Sequence, residues 1–316
     1  MKQIALTVLF ILLMALNVFA GTSALSLDVS ANAYERVTGY GGVAMGDDIG
    51  GISYNPAVVA HIRSISGTLT HLNYVEDVGM LYGNFVYPME KFNIAGRFGY
   101  LYMPSIIDNQ TGEELGYSEF FFGAGSAYQL HKRISAGANI NFYTAKIANT
   151  SGSTFFVNAG AQYMTDLPIT GYHKLIIGGS VLNLGPGIKF IEDPCALPLN
   201  FNLGLKYIYD RDYRLFLGLR KAMDTESLLW SLGGELDLFR FLSVRMSGYK
   251  DLNEQLKFNM GVGFKISYSG YDFLLDYTSL PLEEIEYSQI ITLTFRFPVE
   301  GKTEEREEDW GNIWEK

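Results

Sequence analysis

The segment Gln289-Ile290-Ile291-Thr292-Leu293-Thr294-Phe295-Arg296-Phe297 decides the fold. Ile291, Leu293, Phe295 and Phe297 fall on one face, and Thr292, Thr294 and Arg296 on the other. That is the period of two of a strand with one apolar and one polar face. The pattern recurs upstream. Trp230, Leu232, Leu236 and Leu238 alternate with Ser231, Gly233, Glu235 and Asp237, and Phe258, Met260, Val262, Phe264 and Ile266 alternate with Lys257, Asn259, Gly261, Gly263 and Lys265. A soluble sandwich also alternates. These segments, however, run to about ten residues, and their polar faces carry Gly, Asn or charge, which suits a strand with lipid on one side and a wet lumen on the other.

Composition fits that reading without requiring it. Among 316 residues, 48% are hydrophobic and 14% aromatic, with 21 Tyr and 21 Phe. Aromatics at this level suit interface girdles, and equally an aromatic-rich soluble core. The N-terminus has the form of an export signal over residues 1–20: Lys2, an apolar run from Ile4 to Leu16 broken by Thr7, and Val18-Phe19-Ala20 as a cleavage site before Gly21. A membrane anchor is the other reading, but the run is short for a spanning helix of about 20 residues. The one cysteine, Cys195, excludes an intramolecular disulfide. Much of the net charge of −10 lies in the segment 298–316, expected to be an acidic, solvated periplasmic tail. Nothing is basic enough for nucleic acid.

Fourteen strand-like segments fall near 64–74, 77–87, 91–103, 117–130, 134–147, 154–165, 173–183, 198–209, 212–221, 226–238, 241–249, 256–266, 270–278 and 287–297. Short connections (Pro88-Met89-Glu90, His131-Lys132-Arg133, Asp210-Arg211, Phe239-Arg240, Ser267-Tyr268-Ser269) alternate with longer ones (Pro104 to Gly116, Ala148 to Ser153, Leu184 to Leu197, Leu280 to Glu286). Val75-Glu76 breaks the rule by being tight. The alternation is that of periplasmic turns and extracellular loops. A strand edge in lipid leaves backbone groups unpaired at several kcal/mol each, so the sheet must close. The expected fold is therefore all-β, a 14-stranded antiparallel transmembrane β-barrel over 63–297. A bore of that size needs a plug. The Gly- and Ala-rich segment 21–62, which does not alternate cleanly, is the candidate for a small N-terminal hatch in the lumen.

Within that segment stand Gly39-Tyr40-Gly41-Gly42-Val43-Ala44-Met45-Gly46-Asp47-Asp48 and Ser53-Tyr54-Asn55-Pro56-Ala57. Further on come Asn183-Leu184-Gly185-Pro186-Gly187-Ile188-Lys189-Phe190, Leu197-Pro198-Leu199-Asn200 and Leu293-Thr294-Phe295-Arg296-Phe297. This ordered set, from about Ala33 to Phe297, resembles the PorV/PorQ outer-membrane family, a relative of the FadL-type long-chain fatty-acid transporters. The acidic tail departs from the family's usual ending on the terminal Phe. The resemblance implies a barrel with a folded hatch, whose motif residues here are Gly41, Gly42, Asp47, Asp48, Asn55, Pro56 and Ala57. The glycines admit close backbone approach, and Pro56 fixes φ and holds Asn55 extended. Asp47 and Asp48 are placed to pair with lumenal arginine or to cap amides. An ordinary turn cluster has the same composition.

Catalysis finds little support. His61, His71, His131 and His173 are scattered, no Gly-x-Ser-x-Gly elbow occurs, and no cofactor or metal site is expected. Parity points Arg97, Glu119, Arg214, Arg220, Glu235, Asp237, Arg245, Asp272 and Asp276 into the lumen, because a midplane Arg facing lipid would cost about 2–4 kcal/mol. They read as salt bridges across the lumen and to the hatch, or as a ligand path in which Arg holds a carboxylate head. Phe295 and Phe297 resemble the signal read by the barrel-assembly machinery, and suit a girdle equally. Two functions follow as expectations for a protein in the outer membrane of a diderm bacterium. One is the binding or passage of hydrophobic small molecules, leaving toward the periplasm or sideways through a strand gap. The other, implied by the PorV-type relatives, is a protein-secretion component that binds secreted or machinery proteins through loops such as Leu184–Leu197.

Overall fold

The computed structural model describes residues 24–29, 32–46, 48–73, 78–107, 114–191, 193–223, 227–250, 255–281 and 287–299. The expected export signal, Asp47, Val75-Glu76 and the acidic segment beyond 299 lie outside the described residues.

The strands are β1 (Ile65–Asn73), β2 (Gly79–Pro88), β3 (Phe92–Ile107), β4 (Glu114–His131), β5 (Ile134–Ile147), β6 (Thr150–Asp166), β7 (His173–Leu184), the two-residue β8 (Ile188–Lys189) and β9 (Pro194–Cys195), β10 (Asn200–Tyr209), β11 (Tyr213–Ala222), β12 (Leu228–Phe239), β13 (Leu242–Lys250), β14 (Leu256–Tyr268), β15 (Tyr271–Pro281) and β16 (Tyr287–Phe297). Fourteen form a closed antiparallel barrel; β8 and β9 make a separate hairpin in the connection from β7 to β10. The seam pairs β1 with β16, Ile65 opposite Phe297 and Asn73 opposite Gln289. Every neighbouring pair is joined by a ladder, so the described strands leave no sideways gap of the kind the sequence reading allowed.

Strand parity holds. In β12, Trp230 and Leu232 point out, while Ser231 and Glu235 are buried. In β14, Phe258, Met260 and Phe264 point out around the buried Asn259. Every barrel strand exposes at least one large apolar side chain, from Leu69 of β1 to Leu293 of β16. A belt of this kind exceeds any apolar patch that a monomer keeps in water, and hydrocarbon is the medium it matches.

Two connections differ from the sequence reading. The loop expected at Pro104–Gly116 is largely strand, since β3 runs to Ile107 and β4 begins at Glu114. Pro104 is accommodated because the register shifts between Met103 and Ile106, and a bulge does not need its missing N–H. The loop expected at Ala148–Ser153 shrinks to Ala148 and Asn149, with Ala148 at φ 51°. Polar bonds extend that hairpin: Ser153 Oγ donates to Thr144 Oγ1 at 3.1 Å, and Thr144 Oγ1 donates to the Gly152 carbonyl at 3.0 Å. At the opposite end, where connections are shorter, residues 167–172 form a longer link between β6 and β7.

Candidate functional site: a plugged lumen with an apolar chamber and a charged vestibule

The described residues between 24 and 62 lie inside the barrel. They fold as a helical turn Leu25–Asp28, a helix Ala33–Thr38 and three 3-10 turns, Gly39–Ala44, Ile49–Ser53 and Pro56–His61. One or another of these elements touches each of the fourteen barrel strands, so the plug fills the bore from wall to wall.

Local chemistry sets the plug's shape. Asn32 Oδ1 accepts from the amides of Tyr34 and Glu35 and so starts the helix, which stops at Gly39 with φ 61°. Asn55 is extended, as expected before proline, and its Oδ1 accepts from the Ala57 amide at 3.0 Å. Its Nδ2 donates to the carbonyls of Val43 at 2.8 Å and Ala161 at 3.1 Å, joining two parts of the plug to the wall. Asp48 does both things anticipated of it. It accepts from the Gly50 amide at 2.8 Å and pairs with Arg296 of β16 at 2.8 Å. Gly41 and Gly42 admit close approach: a Cβ would stand 2.8 Å from Phe216 Cβ and 2.7 Å from the Tyr54 ring, respectively. The wall answers with a row of inward glycines that sequence reading missed. Gly178, Gly204 and Gly218 sit opposite one another across β7, β10 and β11. A Cβ on Gly178 would meet the Val43 carbonyl oxygen at 2.1 Å. Glycine at inward parity was the available signal, but the row exists only once the register is known.

At the short-turn end the lumen opens into a cavity of about 1020 Å³, lined by Tyr34, Asp48, Lys206, Arg214, Glu235 and Arg296 among others. Most of the anticipated lumenal charges meet here. Glu235 lies 3.3 Å from Arg214 and 3.2 Å from Arg245, and it accepts from Tyr34 Oη of the plug at 2.6 Å. Arg245 also pairs with Asp276, and its guanidinium sits 4.1 Å over the Tyr34 ring. Arg214 pairs with Asp237 at 2.8 Å. Asp272 stands at the rim with Lys265 at 3.2 Å. Sequence reasoning missed Tyr34, Lys206 (its Nζ donates to the Met45 carbonyl at 2.9 Å) and the pairing of Arg296, although Arg296 was visible on the polar face of the deciding strand.

The other three charges lie toward the opposite end. Arg220 sits between the Tyr40 and Tyr54 rings, 4.9 and 5.0 Å from their centres, and donates to Asn202 Oδ1 at 3.0 Å. Arg97 lies 4.9 Å over the Phe121 ring and lines the same gap as Glu35 of the plug. Glu119 accepts from the Ser26 amide at 2.8 Å and from the Tyr117 hydroxyl. Around them the lumen is apolar. Leu72, Met80, Leu101, Phe121, Phe156 and Ile290 point inward and form one buried cluster. Ile188 and Leu197, from the connection between β7 and β10, close over that cluster, and Ala24, Leu27 and Val29 of the plug pack against it. Phe295 and Phe297 are outside, their rings tilted with centres 5.5 Å apart, with Phe297 edge-on to Tyr271 at 5.7 Å. That girdle placement leaves the assembly-signal reading untested.

The architecture is that of a transmembrane barrel filled by its own N-terminal segment. Solved structures share the fold. The Pseudomonas putida toluene transporter TodX aligns over 90% of this chain and 100% of its own, with TM-score 0.56 and 8% identity. The CymD monoaromatic hydrocarbon channel aligns over 86% and 98%, with TM-score 0.56 and 10% identity. A Pseudomonas aeruginosa FadL homologue aligns over 81% and 95%, with TM-score 0.51 and 10% identity. No protein-family model matches the chain, and no curated protein matches it. At these identities the likeness is one of fold.

Proposed function

We propose that the chain is a non-enzymatic, FadL-like outer-membrane barrel of the PorV/PorQ type that binds and passes hydrophobic small molecules. The short turns then face the periplasm. The observation that carries this is the apolar chamber. Barrel interiors are ordinarily polar, yet here Leu72, Met80, Leu101, Phe121, Phe156 and Ile290 face inward at one end. Lipid-facing parity does not require them, and a plug meant only to seal would be served by polar contacts. The named functions of TodX and CymD, toluene transport and a monoaromatic hydrocarbon channel, point the same way. With the ladders closed, the exit runs past the plug into the charged vestibule.

The test is uptake of radiolabelled 1-octanol by diderm cells whose outer membrane lacks other hydrophobic channels, with and without this chain. Faster entry with the chain is expected; equal rates would refute the proposal. The secretion alternative depends on the loop Leu184–Leu197, whose Ile188 and Leu197 are buried in the chamber mouth. Recovery of a secreted protein with the purified barrel, lost on altering that loop, would favour it.

A further inference from the structure

Glu119 is an acid in the wall of the apolar chamber. It is buried on β4, two residues before Phe121, which belongs to the apolar cluster. Its carboxylate accepts from the Ser26 backbone N–H at 2.8 Å and from the Tyr117 hydroxyl. The Ser26 carbonyl in turn accepts from Tyr82 Oη at 2.6 Å. One plug residue therefore offers a donor to an acid and an acceptor to a phenol, while Ala24, Leu27 and Val29 lie against apolar walls.

There is little room beside the plug segment. The gap between the plug segment, Tyr82, Arg97 and Arg220 holds about 20 Å³, the space of roughly one water. An incoming molecule must displace something, and the segment 24–29 borders that gap. It is a four-residue helical turn with no side-chain cap at its start. Besides the two Ser26 bonds, Asn200 Nδ2 donates to Asp28 at 3.0 Å. The next helix, Ala33–Thr38, is capped by Asn32 and wedged against β12 through β16.

From this juxtaposition we infer that the ligand's head group is a neutral hydrogen-bond donor, an alcohol or a phenol, which replaces the Ser26 N–H on Glu119, and that carboxylates are rejected there. The inference rests on the hydrophobic-passage reading and sharpens it. A hydroxyl donates to Glu119 and accepts from Tyr82, reproducing both polar groups of Ser26. A plain hydrocarbon takes a charge-assisted bond from a buried acid and returns nothing. A carboxylate sets two like charges side by side in a dry site. Of the nearby arginines, Arg220 is held by two tyrosine rings and Asn202, and Arg97 lies over Phe121 with the Glu35 charge beside it and its Nε buried without a hydrogen-bond partner.

The test is equilibrium dialysis of the purified full barrel against radiolabelled 1-octanol and, separately, octanoate at pH 8. Octanol should bind at least about ten-fold more tightly than octanoate, the scale of one charge-assisted bond gained against one like-charge contact. Glu119→Gln should narrow the difference to less than about three-fold by admitting octanoate, since the amide keeps the shape and loses the charge. Octanoate bound as well as octanol by the unaltered barrel overturns the head-group assignment and leaves hydrophobic passage standing. Failure of both probes to bind overturns the passage reading and this inference with it. The selectivity of the unaltered barrel decides the matter even if the variant does not assemble.

Discussion

Gly218 of β11 faces the Tyr40–Gly41 peptide of the plug so closely that a Cβ on Gly218 would stand 2.1 Å from the Gly41 nitrogen. Backbone meets backbone there, between a strand of the wall and a 3-10 turn of the plug. No side chain can yield to make room, so a substitution must move one of the two. We predict that Gly218→Val destabilises the barrel by at least about 2 kcal/mol in urea unfolding and raises its ion conductance in planar bilayers, because overpacking at a rigid contact is relieved by shifting the plug. Unchanged conductance would mean that the plug tolerates the displacement.

Asn55 is the plug's most connected side chain among those described. It caps the Pro56–His61 turn and donates to two carbonyls, one on the plug and one on β6. Asn55→Ala should cost about 2–4 kcal/mol, combining a lost cap with buried carbonyls left short of a donor. Asn55→Asp retains the cap but turns a carboxylate oxygen toward the two buried carbonyl oxygens, so it should cost at least as much as Asn55→Ala. Thermal unfolding of the three proteins gives the order.

An ionic contact ties the plug to the wall, a second cluster lies within the wall and receives the plug's Tyr34 hydroxyl, and the two differ in exposure. Asp48 and Arg296 keep side-chain exposures of 20% and 26%, whereas Glu235, Arg245 and Asp276 keep 4%, 7% and 5%. Asp48→Asn should therefore cost no more than about 1 kcal/mol and become silent at high salt. Glu235→Ala leaves Arg214 with Asp237 and Arg245 with Asp276 but removes the acceptor of the buried Tyr34 hydroxyl and one partner of each arginine, so it should cost about 2–3 kcal/mol at any salt. Urea unfolding at low and high salt separates the cases, and equal effects would contradict the burial argument.

The outward face carries a prediction of its own. Leu217 lies mid-strand on β11 and points out. Leu217→Arg should destabilise the folded barrel in bilayers by about 2–4 kcal/mol, the cost of a cation at the hydrocarbon midplane. The same substitution in a water-exposed strand would cost almost nothing.

The barrel was legible because hydrocarbon outside and polar groups inside enforce the same period along every strand. Parity alone assigned Arg214, Glu235, Arg245 and Asp276 to the lumen, and the structure brings them together. What joined them was register: Arg214 faces Glu235, and Glu235 faces Arg245. Sequence carries no such record of which residue lies opposite which. The segment Thr150–Ser153 was read as loop because it has no apolar face, yet hydroxyl bonds above the lipid belt extend the hairpin. The plug was recognised by composition and place, but its helical turns were not, since 3-10 turns of five or six residues have no sustained period to read. The apolar chamber was hidden in the same way, as its walls come from seven strands and a loop.

The account depends on lipid meeting the outward side chains, and Trp230 reports that contact directly. It is outward-facing on β12, and the chain's other two tryptophans, Trp310 and Trp314, can be replaced by phenylalanine. The measurement is fluorescence quenching of Trp230 in reconstituted barrel, by lipids brominated on the acyl chain near the headgroup and, separately, by aqueous iodide. The account predicts strong quenching by the brominated lipid and little by iodide. Iodide quenching with none from the lipid would place that face in water and contradict it.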